Sequence, residues 1–292
     1  MMHNKPLLRL VPPILRARDF RLYTQNGRRL VDLWQYGGAA ILGHTPAGLL
    51  RTLKNTAERG LFAPLPHPQE KRLIKALSSL FAGAGTGGTT GLTFRFYRSD
   101  TALRHALAAG GCSVPEDASF SDPALSPLPP APTPIRWRPF LDLPPDRPLI
   151  PVLPLPWPDA PRVLVLPSTL QEADTAFPAS ELLSPLTLAA ATRSVYDLIA
   201  ATPARGRVHY PRIEEALTKS VWQRRGIYLY CGADMVDETA DEYVYAEIFK
   251  HFLEQGFLIP PAQDQPLMLP GVLSAGEEAK LAKCFTVPPG EL

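Results

Sequence analysis

The sequence has little cysteine, almost no net charge and no long apolar run. Its three cysteines, Cys112, Cys231 and Cys284, lie far apart and lack metal-site spacing, so we expect reduced thiols in a cytoplasmic protein. A net charge of +2 over 292 residues argues against a dedicated nucleic-acid binder or polybasic membrane binder. No apolar stretch approaches the roughly 20 residues of a membrane span. The first dozen residues, interrupted by Arg9 and by prolines, do not resemble a signal peptide.

Proline, by contrast, is abundant and unevenly distributed. The chain has 34 prolines, and eighteen of them lie between Pro115 and Pro178. Proline fixes φ and removes an amide donor, so it interrupts helices and central strands. We therefore predict that residues 113–148 form an irregular connector rich in polyproline II conformation. The P-x-x-P steps around Pro127 also suit a groove ligand, but a connector without a partner is the simpler explanation.

The flanking regions have the mixed pattern of an α/β protein. An Asn26-Gly27 step between two apolar segments predicts a hairpin over residues 21–33. Apolar positions that recur every three or four residues predict helices at 47–59, 68–81, 100–109, 184–201, 211–223, 238–255 and 275–285. Short apolar runs predict strands at 92–97, 149–155, 162–166, 226–231, 257–259 and 267–269.

Several motifs occur in an order that is typical of one enzyme family. Residues 22–33 resemble a "Y-D-x-D-G-x-x-Y-L-D" hairpin, and residues 42–46, Leu-Gly-His-Thr-Pro, resemble an "L-G-H-x-H-P" turn. Residues 96–102 lie where that family has "F-x-x-S-G-x-E-A", and residues 184–191 resemble its "G-N-P-L-x-x-A-A-A" helix. Segments within 225–274 follow the family in order and spacing. Together these motifs resemble a class III pyridoxal-phosphate aminotransferase of fold type I.

The resemblance implies an α/β fold with two domains. It implies a reduced large domain like that of pyridoxal-phosphate-dependent transferases, and a small α+β domain built from both chain termini. We assign residues 1–60 to the N-terminal segment that joins the small domain. Residues 61–200 form the large domain with the connector at 113–148, and residues 201–292 form the C-terminal small domain. Family members are dimers with active sites at the subunit interface, so the resemblance also implies an oligomer.

Two groups that the chemistry of this family requires are missing from their expected places. Transamination needs a lysine that bonds covalently to the cofactor aldehyde. The family's lysine precedes the helix at 184–191, but this chain has no lysine between Lys75 and Lys219. Lys219 follows two glutamates in a predicted helix, which is typical of a solvated face. The strand at 162–166 ends without the carboxylate that would keep the pyridine nitrogen protonated.

The family's phosphate loop corresponds to Ser99, Asp100 and Thr101, which we interpret as a vestigial phosphate site. Asp100 replaces a glycine of the family pattern and would suit a helix N-cap, where its carboxylate accepts amide hydrogen bonds itself. Two like charges about 4 Å apart cost ~4 kcal/mol at an effective dielectric of about 20, so this carboxylate opposes a bound phosphate. Met268 stands near the position of the family's carboxylate-binding arginine. The resemblance therefore implies a retained fold with lost chemistry.

Other candidate sites have less support. Residues 83–91 are rich in glycine and threonine like a phosphate cradle, but they precede a strand and lack the Lys-Ser/Thr ending of a P-loop, so a linker is favoured. The six histidines form no pair with metal-ligand spacing, and His44 and His67 lie in proline-bounded turns. Ser168 and Ser184 lie in no G-x-S-x-G elbow. We expect no metal site and no hydrolase activity.

The sequence thus predicts a degenerate aminotransferase-fold protein without the Schiff-base lysine. Its expected role is that of a non-catalytic binding or scaffold subunit with no cofactor, in a homodimer or in a hetero-oligomer with an active homologue. Two alternatives stay open. One is a divergent pyridoxal-phosphate-dependent aminotransferase whose lysine comes from elsewhere, and the other is a small-metabolite sensor that uses the vestigial cleft. No nucleic-acid or membrane partner is expected.

Overall fold

The computed structural model of the chain describes most of the sequence, with short gaps. The described residues are 5–83, 91–112, 114, 119–141, 146–167, 170, 176–231 and 241–286. Most of the glycine-rich segment at 83–91, Ser168 and parts of the predicted connector therefore lie outside the described residues.

Helices and strands are interspersed along the described chain. The helices are α1 Lys5–Leu8, α2 Ala47–Ala57, α3 Gln69–Gly83, α4 Asp100–Ala109, α5 Pro185–Arg205, α6 Pro211–Leu217, α7 Asp241–Glu254 and α8 Ala275–Thr286. The strands are β1 Ile14–Arg18, β2 Arg21–Thr24, β3 Arg29–Asp32, β4 Thr93–Tyr97, β5 Ile135–Trp137, β6 Leu149–Pro151, β7 Arg162–Leu166, β8 Trp222–Arg225, β9 Tyr228–Cys231, β10 Phe257–Leu258 and β11 Leu267–Met268. Within the described ranges, no helix combines the length and apolar character that crossing a membrane requires.

The chain divides into two compact units. The interior unit comprises Pro46–Thr202, and the terminal unit comprises Met2–Thr45 together with Pro203–Leu292. The terminal unit is therefore built from both chain ends, as the fold class predicted from the sequence requires.

The interior unit contains a four-stranded sheet in the order β4-β7-β6-β5. Strand β7 pairs antiparallel with both β4 and β6, and β5 pairs parallel with β6. The last four residues of β7, Val-Leu-Val-Leu, are buried, which matches the continuous apolar run of a central strand. Helix α4 packs against β4 and β7 through Leu103 and Leu107, in a core that also contains Tyr97, Leu164 and Phe177.

Two predictions about elements are wrong. Strand β5 lies inside the predicted irregular connector. It fits there because it pairs with β6 on one side and forms an isolated bridge to Ser121 on the other, and because Pro134 and Pro139 stay outside the strand. Helix α6 ends at Leu217, six residues before the predicted end, because a turn at 218–221 leads directly into β8. No glycine or proline in that turn marks the stop.

The terminal unit contains one sheet in the order β1-β2-β3-β10 and a second in the order β11-β9-β8. The predicted hairpin is confirmed: β2 and β3 pair antiparallel about Gly27, whose φ of +78° suits a residue without Cβ. Strand β10 pairs parallel with β3, Phe257 opposite Val31, so the two ends of the chain meet in one sheet.

A capping box at the start of α8 connects these same two chain ends. The Ser274 hydroxyl accepts a hydrogen bond from the Glu277 amide at 3.2 Å, and the Glu277 carboxylate accepts one from the Ser274 amide at 2.8 Å. The same carboxylate accepts two hydrogen bonds from the Arg21 guanidinium of β2, at 3.0 and 2.7 Å. Burial alone would raise the pKa of Glu277, but the hydrogen bonds from Arg21 and Ser274 lower it to about 2.

Candidate functional site

The predicted phosphate loop lies where β4 leads into α4. Ser99 is extended, with φ −139° and ψ 160°, and it is the N-cap of α4. Its hydroxyl accepts a hydrogen bond from the Ala102 amide at 3.1 Å, and its carbonyl accepts one from the Leu103 amide at 3.1 Å. The interpretation of Asp100 as the N-cap is therefore wrong by one position. Because Ser99 satisfies the first turn, the Asp100 carboxylate has a different partner.

That partner is Arg162, the first residue of β7. Its Nε lies 2.7 Å from Oδ1 of Asp100, and its Nη2 lies 3.5 Å from Oδ2. The pair forms because β4 and β7 are antiparallel neighbours with Tyr97 opposite Arg162, so the residue that opens β7 lies beside the start of α4. Burial raises the pKa of Asp100, but the hydrogen bond and charge of Arg162 outweigh it, and the pKa lies below its ordinary value.

This arrangement fits a phosphate group poorly. The favourable end of the α4 dipole is already beside a carboxylate, and the neighbouring guanidinium is already paired with that carboxylate. The Ser99 hydroxyl serves as the helix cap, and Thr101 is exposed on the first turn. A phosphate placed here would meet the Asp100 charge unless that ion pair first separated.

The interior unit has no lysine close to this loop in the sequence, and none of its lysines is buried. The unit's lysines are Lys54, Lys71 and Lys75, and all three are exposed on α2 and α3. Lys219 lies in the terminal unit, just after α6. Its side chain is 71% exposed and its Nζ lies 3.8 Å from a Glu215 oxygen, so it belongs to a solvated face, as predicted.

The segment around Met268 contacts a buried arginine, Arg205, that the sequence did not reveal. Met268 itself is fully buried in β11. Arg205, in the last turn of α5, donates from Nη2 to the Leu269 carbonyl at 2.8 Å and from Nε to the Ile41 carbonyl at 3.3 Å. Its guanidinium carbon lies 5.1 Å from the centre of the Phe20 ring. Burial lowers the pKa of Arg205 to about 10. No local pattern predicts this, since three distant segments create the environment.

A second polar cluster surrounds Asp32 at the end of β3. Its Oδ1 accepts hydrogen bonds from the Trp34 and Gln35 amides at 2.9 and 2.8 Å, and its Oδ2 lies 2.7 Å from Nε2 of His44. These bonds hold the next turn, in which Gln35 and Tyr36 have φ of 49° and 52°. The histidine of the "L-G-H" motif thus helps position a strained turn.

The interior unit also has a small cavity of about 220 Å³ at the end of α4. Gly110, Cys112, Thr133 and Phe177 are among its lining residues. Burial raises the pKa of the Cys112 thiol, which disfavours the reactive thiolate. Over the ranges that the structure describes, no group of three or more His, Cys, Asp or Glu side chains could hold a metal ion.

Comparisons with known proteins agree with the fold. No family model matches the sequence. An uncharacterized protein of Borreliella burgdorferi is 39% identical over 85 residues, which cover 29% of this chain and 32% of that protein. The glutamate-1-semialdehyde 2,1-aminomutase of Aquifex aeolicus is 27% identical over 107 residues, which cover 34% of this chain and 25% of the enzyme. The chain thus spans about a third or less of the curated relatives it matches.

Solved structures match over nearly the whole chain. The ornithine δ-aminotransferase of Plasmodium falciparum has a TM-score of 0.64 at 11% identity, covering 97% of both chains. An ω-transaminase from Sphaerobacter thermophilus has a TM-score of 0.63 at 14% identity, covering 94% of this chain and 90% of its own. The chain therefore has the fold of class III pyridoxal-phosphate aminotransferases, which confirms the fold predicted from its motifs.

Proposed function

We propose that the chain is a degenerate aminotransferase-fold protein that neither binds pyridoxal phosphate covalently nor transaminates, and that acts as a non-catalytic binding or scaffold subunit. The ion pair between Asp100 and Arg162 carries this proposal. The chain's own carboxylate occupies the favourable end of the α4 dipole, where the fold family's sequence pattern has a glycine. The positive end of the helix dipole is thus already neutralised by the chain's own Asp100 carboxylate.

The distribution of lysine supports the same conclusion. A covalent bond to the cofactor aldehyde requires a lysine amine close to the cofactor. The chain has none between residues 75 and 219, and Lys219 is solvated and paired with Glu215. Because the residues present do not fit the cofactor, we derive no catalytic step through it.

The expected assembly is a homodimer or a hetero-oligomer with an active homologue. In such an assembly the retained fold of this chain would position a partner subunit or complete that partner's active site. Neither role requires this chain to supply a Schiff-base lysine. Affinity purification of the chain from its native cells, followed by native mass spectrometry, tests the hetero-oligomer version. A second aminotransferase-fold chain in constant ratio supports it, whereas only monomer or pure homodimer overturns it.

The cofactor proposal is tested by absorbance and by mass. The purified chain is mixed with pyridoxal phosphate, treated with borohydride and digested, beside a Lys219→Ala variant as the matched control. We expect no visible band that borohydride removes and no pyridoxyl-lysine peptide. A stoichiometric pyridoxyl peptide containing Lys219, lost in the variant, would instead support the divergent aminotransferase. Stabilisation by an amino acid or keto acid without cofactor, seen by thermal shift, would favour the metabolite sensor.

A further inference from the structure

Strand β1 forms an exposed edge of the terminal unit. It is the first strand in the order β1-β2-β3-β10, and no strand within the described residues pairs with its outer side. Four of its five residues are exposed, with Ile14 at 40% and Leu15 at 71%. The pairing with β2 is irregular between Ile14 and Arg16, so Leu15 has no partner in the ladder. A strand edge of this kind offers unpaired backbone groups and apolar side chains together.

The edge lies in the most basic part of the chain. Residues 5–29 contain seven basic residues and one acidic residue, Asp19, although the whole chain carries a net charge of only +2. Three of these arginines have structural partners. Arg21 and Arg29 contact Glu277, with Arg29 Nη2 at 3.3 Å, and Arg28 donates to the carbonyls that end α7.

The arginines nearest the edge are not neutralised in this way. The Arg16 guanidinium lies 4.3 Å from the centre of the Tyr23 ring, which attracts a cation but carries no charge that would neutralise it. Arg18 lies 3.8 Å from Asp19, and its side chain is 72% exposed, so solvent screens that pair. Arg9 is exposed a few residues before the strand. The edge is therefore positively charged as well as apolar.

Charge decides what can pair with this edge. A second copy of β1 would place arginines opposite arginines, and like charges directly opposite are destabilising in a sheet. Glutamate or aspartate at alternate positions of an incoming strand would instead face Arg16 and Arg18. The apolar residues that alternate with those carboxylates would lie on the other face, beside Leu15 and Ala17.

We propose that β1 is the docking site for an extended acidic segment of a partner protein, which adds to the sheet as an outer strand. Main-chain hydrogen bonds to the outer side of β1 supply affinity, and the alternation of carboxylate and apolar side chains supplies specificity. The proposal concerns the terminal unit alone and does not depend on whether the chain binds a cofactor.

The test uses the full chain and a fluorescent eight-residue peptide of alternating valine and glutamate. We expect saturable binding that weakens as salt is raised, and at least tenfold weaker binding of the matching valine–lysine peptide. The double variant Arg16→Glu/Arg18→Glu should reduce binding at least tenfold. The matched control Arg51→Glu/Arg59→Glu, which changes two exposed arginines of the interior unit, should leave binding unchanged.

Two further measurements keep the proposal open to refutation. Leu15→Ser keeps the charge and should weaken binding about threefold, which covers the case that the double variant fails to fold. Hydrogen–deuterium exchange should show new protection within residues 14–18 when the acidic peptide is added. Equal binding of both peptides, no protection of β1, or binding only to vesicles of phosphatidylglycerol and phosphatidylcholine would overturn the proposal, the last in favour of a membrane surface.

Discussion

A carboxylate–arginine pair connects distant segments in the terminal unit, Glu277 with Arg21, and another does so in the interior unit, Asp100 with Arg162, and these two pairs differ in what surrounds them. Glu277 in the terminal unit accepts hydrogen bonds from Arg21 and from the Ser274 amide, and its side chain is only 10% exposed. Asp100 in the interior unit has Arg162 as its ion-pair partner, and about a third of each side chain is exposed. The first pair holds a framework together, whereas the second lies at a helix terminus that would otherwise attract an anion.

The largest expected effect comes from removing the terminal pair. Glu277→Ala leaves Arg21 largely buried without its partner and opens the capping box, which should lower the free energy of unfolding by about 3 kcal/mol. Urea denaturation of the variant measures this loss. Arg21→Met/Glu277→Leu should recover much of it, because the double variant leaves no buried charge unpaired: Arg29, which also contacts Glu277, has a side chain that is 54% exposed. If both variants are as stable as the parent chain, the framework role of this pair is wrong.

Lowering the pH should show how much the Arg21–Glu277 pair contributes to stability in the unmutated chain. The pKa of Glu277 is lowered from 4.5 to about 2, so its contribution is complete above pH 4.5 and is lost as the pH falls from there toward 2. We expect stability to fall by about 2 kcal/mol across this window on account of Glu277, after allowance for solvent screening. Thermal unfolding at several pH values should show a shallower acid slope in Glu277→Gln. An unchanged slope would contradict the assignment.

Removing the helix cap beside the interior pair should have a smaller effect. Ser99→Ala loses the hydroxyl that accepts from the Ala102 amide, which should cost about 1 kcal/mol. Ser99→Asp should retain most of the stability because it caps equally well. Denaturation midpoints of the two variants separate the outcomes, and equal losses in both would show that Ser99 is not acting as the cap.

Removing the interior carboxylate should change stability least and binding most. Asp100→Gly loses a partly exposed ion pair of about 0.5 kcal/mol and places glycine in a first turn. It also leaves Arg162 free beside the start of α4, so inorganic phosphate should raise the melting temperature of the variant more than that of the parent chain. Asp100→Asn serves as the control, since it removes the charge but keeps a side chain in the space. An equal response of parent and variant would contradict the idea that Asp100 keeps anions out.

Local sequence patterns predicted much of the fold, because many elements are specified by the turn residues or apolar periodicity of consecutive residues. The Asn26-Gly27 hairpin, the periodic helix α4 and the apolar strand β7 are all where the sequence predicts them. Strand β5 was missed because prolines flank it and its pairing comes from distant residues, those of β6 and Ser121.

The candidate site was less predictable than the fold. The sequence identified the carboxylate of Asp100 as the unusual feature, but it could not show that Arg162 is its partner, 62 residues later in the chain. Arg205 and the Asp32–His44 contact were missed for the same reason. Each depends on segments that only the folded chain brings together.

The parallel pairing of β3 with β10 has a consequence for synthesis. Val31 leaves the ribosome 226 residues before its partner Phe257, and at about 5–20 residues per second this delay lasts on the order of 11–45 s. The interior unit is synthesised during that interval, while the first hairpin has no neighbour on its inner edge. The nascent chain therefore passes through a period in which Leu30 and Val31, both buried in the finished protein, must be protected by something other than their native strand.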